Sequence, residues 1–284
     1  MKQTTKVILT LLTLLTFGFI ASLPAETPSP EMINLWPEGK APDGDGNFEN
    51  TNATITVFHP EKPNGTAIVI CPGGGYGQVV RAEGAPIAKW LNTQGITGIV
   101  LNYRLPKGDP HRPLSDVQEA LRLTKSKTAE WHLNPKRIGV MGFSAGGHLA
   151  AMAATKFTPE GANRPDFAIL VYPVITMGEG THGGSRKNLL GPNPTAEQIQ
   201  LYSNELQVTP QTPPTFLAHA ADDKVVPPRN SEKFRDALFA KKIPAKYLAL
   251  PNGGHGLNGY KGPMWDAWQT QSIQWLIGLN VKSD

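Results

Sequence analysis

The chain has 284 residues, of which 39% are hydrophobic, and its 27 Lys and Arg residues nearly balance its 23 Asp and Glu residues. This length fits one large or two small globular domains. The sequence contains no basic run and no basic stripe with interleaved aromatic residues, so we expect no nucleic-acid partner. The single cysteine, Cys71, excludes an intramolecular disulfide.

The first 25 residues have the organisation of an export signal. Lys2 and Lys6 precede an apolar run from Val7 to Ile20, and residues 21–25 supply small side chains for cleavage after Ala25. The apolar run is too short to span a bilayer comfortably. We therefore expect a signal peptide at 1–25 and an exported mature protein, periplasmic or secreted, without a membrane anchor.

After an irregular lead-in over residues 26–50, the chain alternates strand-like and helix-like segments. Short β-branched or alternating runs predict strands at Ala53–Phe58, Thr66–Cys71, Ile96–Tyr103, Ile138–Met141, Phe167–Tyr172, Thr215–His219 and Lys246–Leu250. Helical spacing and composition predict helices at Ala82–Gln94, Pro113 to about His132, Leu149–Ala154, Asn230–Lys241 and Met264–Leu279. The alternation predicts an α/β fold with a mostly parallel central sheet and helices on both faces.

Residues 173–212 interrupt this alternation. They are rich in Gly, Pro, Asn and Thr, with one short helical piece near Ala196–Tyr202. We interpret them as an insertion over the site, within a single domain spanning 26–284. Sites in parallel α/β sheets lie outside the carboxyl ends of the strands, which is the edge from which this insertion leaves.

The segment that follows the Ile138–Met141 strand reads Gly142-Phe143-Ser144-Ala145-Gly146 and matches G-x-S-x-G. Such a strand-to-helix turn strains the serine and projects its hydroxyl above the sheet. The N-terminus of the following helix directs free N–H groups at the position where an oxyanion would form. We therefore predict Ser144 as a nucleophile and the N–H of Ala145 as an oxyanion donor.

A serine nucleophile needs a base, and the base needs an orienting carboxylate; on this fold the chain order is Ser, then acid, then His. Among the seven histidines, only His255, on a glycine-flanked loop after the last strand, follows both the serine and the expected acid. Asp222 and Asp223 both occupy the loop after the Thr215–His219 strand, and the residue types alone leave the two open. The other histidines, including His182, are interpreted as structural.

The segment Pro72–Gly77, which we call the glycine loop, is almost free of side chains. A phosphate-binding loop is the alternative, but the segment lacks the G-K-[ST] ending that such a loop requires. Exposed backbone N–H groups fit an oxyanion hole better, and Gly74 and Gly75 are the predicted donors. No grouping of residues has metal-ligand spacing, so we expect neither a metal nor another cofactor.

These motifs together resemble the α/β-hydrolase superfamily, and more narrowly the secreted bacterial esterases related to acetylxylan esterases and to feruloyl-esterase-like and dienelactone-hydrolase-like proteins. The matching segments cover nearly the whole mature chain and include Cys71–Tyr76, Ile138–Ala150, His219–Pro227 and Gly253–Gly256. One departure is Pro72, where many relatives carry His before the glycines. That departure leaves open which glycine N–H completes the oxyanion hole.

The resemblance implies a serine carboxylesterase that removes small acyl groups, acetyl above all, from carbohydrates such as xylan fragments. It also implies Asp223 as the triad acid, because the spacing from His219 fits the family register. The expected partner is a small-molecule or oligosaccharide ester, and no oligomeric state is predicted. Alternatives are a feruloyl-type esterase, a peptidase or amidase of the prolyl-oligopeptidase-like type, and a carbohydrate-binding protein without catalysis, which the intact Ser, Asp and His disfavour.

Overall fold

A computed structural model describes residues 29–38, 40–42, 52–158 and 161–279. The predicted signal peptide at 1–25 lies outside these residues. Eight strands form one sheet in the order β1-β2-β4-β3-β5-β6-β7-β8. The strands are β1 Glu31–Asn34, β2 Thr54–Phe58, β3 Ala67–Cys71, β4 Thr97–Asn102, β5 Ile138–Phe143, β6 Ala168–Val171, β7 Thr215–Ala220 and β8 Ala245–Leu250.

Helices cover both faces of the sheet. They are α1 Ala85–Thr93, α2 His111–Ser126, α3 Ser144–Thr155, α4 Gly183–Leu190, α5 Ala196–Tyr202, α6 Arg229–Ala240 and a C-terminal helix Pro263–Gly278, with 3₁₀ turns at Arg81–Glu83 and Asn204–Leu206. In the part of the chain that the structure describes, no helix has both the length and the apolarity needed to cross a membrane.

The central strands are buried on both faces, as parallel strands under two helical layers must be. All residues of β3 and β5 are buried. Alternate residues of a strand point to opposite faces, so Val69 and Val140 join one apolar cluster while Ile68 and Met141 join the other. The predicted mostly parallel α/β fold is confirmed; only β1 and β2 pair antiparallel with their neighbours.

Three elements away from the serine turn differ most from the prediction. A strand, β1, lies in the lead-in that was expected to be irregular. Its sequence has no alternating pattern, and it forms a strand because it pairs with β2 at the edge of the sheet. The second helix ends at Ser126 rather than near His132, where a φ of +54° is incompatible with a right-handed helix. The helix α4 was not predicted, because its sequence opens with two glycines, which are poor helix formers.

After β8 the backbone makes one left-handed turn at Leu257–Tyr260, with φ between 48° and 68° at all four residues. Left-handed backbone costs about 1–2 kcal/mol per non-glycine residue, so surrounding contacts must hold this turn in place. Leu257 is completely buried in the core. The turn directly follows the loop that carries His255.

Candidate active site

Ser144 lies between β5 and α3, at the carboxyl edge of the sheet. Its φ is +53°, in the left-handed region that a non-glycine residue adopts only under constraint. The end of β5 and the first turn of α3 approach each other too closely for side chains. A Cβ on Gly142 would lie 2.1 Å from the carbonyl oxygen of Gly146. The helix α3 begins at Ser144 itself, five residues before the predicted Leu149, because its first turn is packed through these glycines rather than favoured by helix propensity.

The structure brings the three predicted triad side chains into one hydrogen-bonded line. His255 Nε2 lies 2.9 Å from Ser144 Oγ, and His255 Nδ1 lies 2.8 Å from Asp223 Oδ2. A carboxylate can only accept, so Nδ1 carries the proton and Nε2 is left to accept the hydroxyl hydrogen of Ser144. This is the tautomer that a general base for a serine hydroxyl requires.

Asp223 is held as an ionised, oriented carboxylate. Its Oδ1 accepts the backbone N–H groups of Val225 and Val226, at 2.9 and 3.0 Å, and its Oδ2 lies 3.3 Å from His219 Nε2. Burial alone would raise the pKa of Asp223, but the hydrogen bonds from His219, His255 and Val226 hold that pKa well below its usual range. The charge that would balance an imidazolium is therefore present at neutral pH.

Asp222, the other acid that the sequence left open, points elsewhere. Its Oδ1 accepts the backbone N–H of Gly254 at 2.8 Å, one residue before His255. Asp222 therefore fixes the loop that carries the histidine, whereas Asp223 contacts the imidazole directly. The two adjacent acids therefore have different contacts: Asp222 binds the loop backbone and Asp223 binds the imidazole.

The glycine loop lies against Ser144, since a Cβ on Gly73 would be 3.0 Å from the Cβ of Ser144. The Gly73 N–H is already used, because it donates to Glu83 Oε2 at 2.7 Å. The N–H groups of Gly74 and Gly75 donate to no acceptor among the described residues. The loop thus retains two donors beside the serine, at the two glycines that the sequence predicted.

The other predicted donor, the N–H of Ala145, belongs to the first turn of α3 and has no partner within the helix. The insertion steadies the opposite side of the loop, because Asn188 Nδ2 on α4 donates to the Gly75 carbonyl at 2.9 Å. The predicted insertion over the site therefore includes a segment in contact with the glycine loop. This contact joins residues that are far apart in the sequence and carry no recognisable motif.

Glu83 is a buried carboxylate that no sequence motif indicates. It accepts hydrogen bonds from the Gly73 N–H, from the Tyr172 hydroxyl at 2.9 Å, and from the hydroxyl of Tyr260. Burial raises the pKa of Glu83, and these hydrogen bonds together with the nearby His255 imidazole oppose that rise. The Tyr172 ring in turn packs on the His255 ring, with centroids 4.9 Å apart. Glu83 therefore links the glycine loop to the histidine.

Replacing Glu83 with glutamine keeps an acceptor for the Gly73 N–H but removes an anion that faces the imidazole. We expect kcat/KM of the reaction that depends on Ser144 and His255 to fall about tenfold, the equivalent of one pKa unit of electrostatic interaction. A carboxyl whose pKa is raised by folding stabilises the fold below its unfolded pKa and loses that contribution as pH rises through its folded pKa.

The melting temperature of E83Q relative to wild type should therefore increase between acidic and neutral pH. Rates and thermal unfolding at several pH values measure both effects. An E83Q variant with wild-type kcat/KM would contradict the link between Glu83 and the histidine.

Other groups with reactive side chains are locked into the core. His148 is fully buried between the Tyr76 hydroxyl and the Tyr202 carbonyl, and burial lowers its pKa to about 4. Burial raises the pKa of the Cys71 thiol, which therefore stays protonated and unreactive. Both residues are held in the core and have a structural role, as the sequence predicts for His148.

Two further features of the described residues bear on where a ligand binds. These residues contain no group of three or more His, Cys, Asp or Glu that could hold a metal ion. A cleft of about 730 Å³, lined by Phe58, His59, Lys62 and Lys89 among others, lies where β2 ends and β4 begins. That is the edge of the sheet opposite Ser144, so this cleft is remote from the triad.

Comparison with known proteins identifies relatives over most of the chain. The chain is 37% identical to an acetylxylan esterase from Xylanibacter ruminicola, over 83% of this chain and 47% of that protein. It is 34% identical to endo-1,4-beta-xylanase B from Butyrivibrio fibrisolvens, over 83% of this chain and 39% of that protein. The chain thus spans less than half the length of these two curated relatives.

A solved structure matches along its whole length. The acetyl ester-xyloside bifunctional hydrolase from Caldicellulosiruptor lactoaceticus is 34% identical, with a TM-score of 0.81 over 91% of this chain and 99% of that one. Residues 89–277 match the prolyl oligopeptidase family. This match includes Ser144, Asp223 and His255 and covers more than half of the chain. The chain is therefore a member of the prolyl oligopeptidase family, within the α/β-hydrolase superfamily.

Proposed function

We propose that this protein is a serine carboxylesterase that hydrolyses acetyl esters on carbohydrates such as xylan fragments. The observation that carries the reaction type is the line of hydrogen bonds from Ser144 through His255 to Asp223, beside unused backbone N–H groups. The names of the relatives, an acetylxylan esterase and an acetyl ester-xyloside hydrolase among them, support the substrate class.

In the proposed mechanism Ser144 Oγ attacks the ester carbonyl carbon and passes its proton to His255 Nε2. The oxyanion that forms accepts hydrogen bonds from the Ala145 N–H and from the glycine loop. Asp223 stabilises the imidazolium, which then protonates the departing sugar hydroxyl. Water, activated by the same histidine, attacks the acetyl-serine ester and releases acetate, which restores the serine.

An amidase or peptidase that uses the same triad is the second candidate, because the family takes its name from a peptidase. Both reactions pass through an oxyanion intermediate and differ in the group that leaves, an alcohol or an amine. A feruloyl-type esterase differs only in its acyl group. The triad geometry is common to all three, so the substrate pockets must distinguish them.

A panel of substrates separates these activities. Acetylated xylan, a feruloyl ester and an aminoacyl anilide should be compared at equal enzyme concentration, with Ser144→Ala as the blank. We expect kcat/KM to be largest on acetylated xylan. A preference for the anilide would instead establish the amidase, and a preference for the feruloyl ester would establish the third activity.

We also propose that the protein is exported, on the basis of the basic and apolar start of the sequence. Cleavage after Ala25 would leave a mature chain that begins at Glu26. The intact mass of the protein recovered from periplasmic and culture fractions measures this directly. A membrane-bound product that retains residues 1–20 would contradict cleavage.

A further inference from the structure

His182 stands at the start of α4, and its side chain caps that helix. The backbone N–H of Ser185 donates to His182 Nδ1 at 3.2 Å, and the Ser185 hydroxyl lies 2.9 Å from the same nitrogen. A backbone N–H can only donate, so Nδ1 is an acceptor and the neutral ring carries its proton on Nε2. The cap therefore fixes both the tautomer and the direction of the ring.

The Nε2–H of His182 has no acceptor among the described residues, although the residue is partly buried. The ring lies over the glycine loop, since its Cε1 is 3.7 Å from where a Cβ on Gly75 would be. Burial and the charge of His255 lower the pKa of His182. The ring is therefore a neutral donor at neutral pH.

The helix that begins after His182 is tied to the site at its other end. The side-chain amide of Asn188 donates to the Gly75 carbonyl at 2.9 Å, and the backbone carbonyl of Asn188 accepts the N–H of Gly108 at 2.9 Å. Leu189 and Leu190, which end the helix, are buried in the core. These contacts hold His182 in a fixed position relative to the glycine loop.

The position of the ring beside the site indicates what this donor can bind. The leaving oxygen of the ester must lie near His255 Nε2, which protonates it. His182 lies within electrostatic range of both His255 and Asp223, and its ring lies beside Gly75 of the glycine loop. A sugar bears hydroxyl and ring oxygens next to the ester oxygen, whereas a simple aryl ester bears no such acceptors.

We propose that His182 is a substrate-binding residue that determines specificity for carbohydrate esters, by donating its Nε2–H to a neutral oxygen of the sugar. This inference rests on the proposed carbohydrate esterase function and names a contact within that same site. No sequence motif includes this residue, so the sequence alone predicts only a structural role for it.

Two substitutions separate the cap from the donor. Asparagine is a favoured N-cap residue, so His182→Asn can keep the hydrogen bond to the Ser185 N–H, but its short side chain cannot reach the Nε2 position. Glutamine places an amide N–H near that position. We expect the ratio of kcat/KM on acetylated xylo-oligosaccharide to kcat/KM on 4-nitrophenyl acetate to fall roughly tenfold in H182N, as expected for one lost hydrogen bond of about 1.4 kcal/mol. In H182Q this ratio should recover in part.

His132→Asn is the matched control, because His132 is exposed at the opposite edge of the sheet and asparagine tolerates its φ of +54°. Its ratio should equal that of wild type. A wild-type ratio in H182N, or equal losses on the two substrates, would overturn the role of His182. Wild-type enzyme that hydrolyses the aryl ester but not the acetylated sugar would instead overturn the proposed function, and this inference with it.

Discussion

Replacing Ser144 with alanine is expected to lower kcat for acetyl ester hydrolysis by about a million-fold, as in other triads that lose their nucleophile. The reason is chemical, because no other hydroxyl occupies the 2.9 Å position beside His255 Nε2 among the described residues. The oxyanion donors and the histidine remain in this variant, so a small residual rate over the uncatalysed reaction should persist.

The fold should survive this change. Alanine lacks only the hydroxyl, and the left-handed backbone at Ser144 is fixed by the packed glycine crossing rather than by the side chain. Circular dichroism and thermal unfolding check the fold, and turnover of a chromogenic acetyl ester checks activity. Ser126→Ala, an exposed serine at the end of α2, is the matched control and should keep wild-type turnover. A folded S144A enzyme with substantial activity would show that another group is the nucleophile.

The fold could be predicted from the sequence because its central strands are continuous apolar runs. Ile68, Val69 and their neighbours in β3 are buried on both faces of the sheet. The apolar run in the sequence therefore corresponds directly to the burial of the strand. Ser144 and His255 could be predicted for a related reason. Each lies at a turn whose glycines are needed for backbone geometry, and such turns leave a local pattern in the sequence.

The supporting residues could not be predicted in this way. Glu83 reaches Tyr172, and Asn188 reaches Gly75, across 89 and 113 positions of the chain. Such contacts depend on how the insertion and the loops pack at one edge of the sheet, which leaves no short-range pattern. The edge strand β1 is similar, because it exists only through its pairing with β2.

The other large effect on kcat is expected from replacing Asp223, the one of the two adjacent acids that contacts His255. Asp223 Oδ1 accepts two backbone N–H groups, from Val225 and Val226, while Oδ2 faces His255. In Asp223→Asn the amide oxygen must therefore take the Oδ1 position, which turns the NH₂ group toward His255 Nδ1. That group can only donate, so the imidazole must carry its proton on Nε2 and can no longer accept the proton of Ser144. We expect kcat to fall by about 10⁴-fold, as in other triads with this change.

Asp222→Asn is the matched control, since it makes the same substitution one residue away. Its amide oxygen can still accept the N–H of Gly254, so the His255 loop should keep its position and kcat should change by less than about tenfold. Asp222→Ala removes that acceptor and should cost more than Asp222→Asn, through a looser loop rather than a wrong tautomer. Steady-state kinetics on one acetyl ester measures all three variants. A large loss confined to Asp222→Asn would reverse the assignment, because the triad acid would then be the residue that the geometry places on the loop backbone.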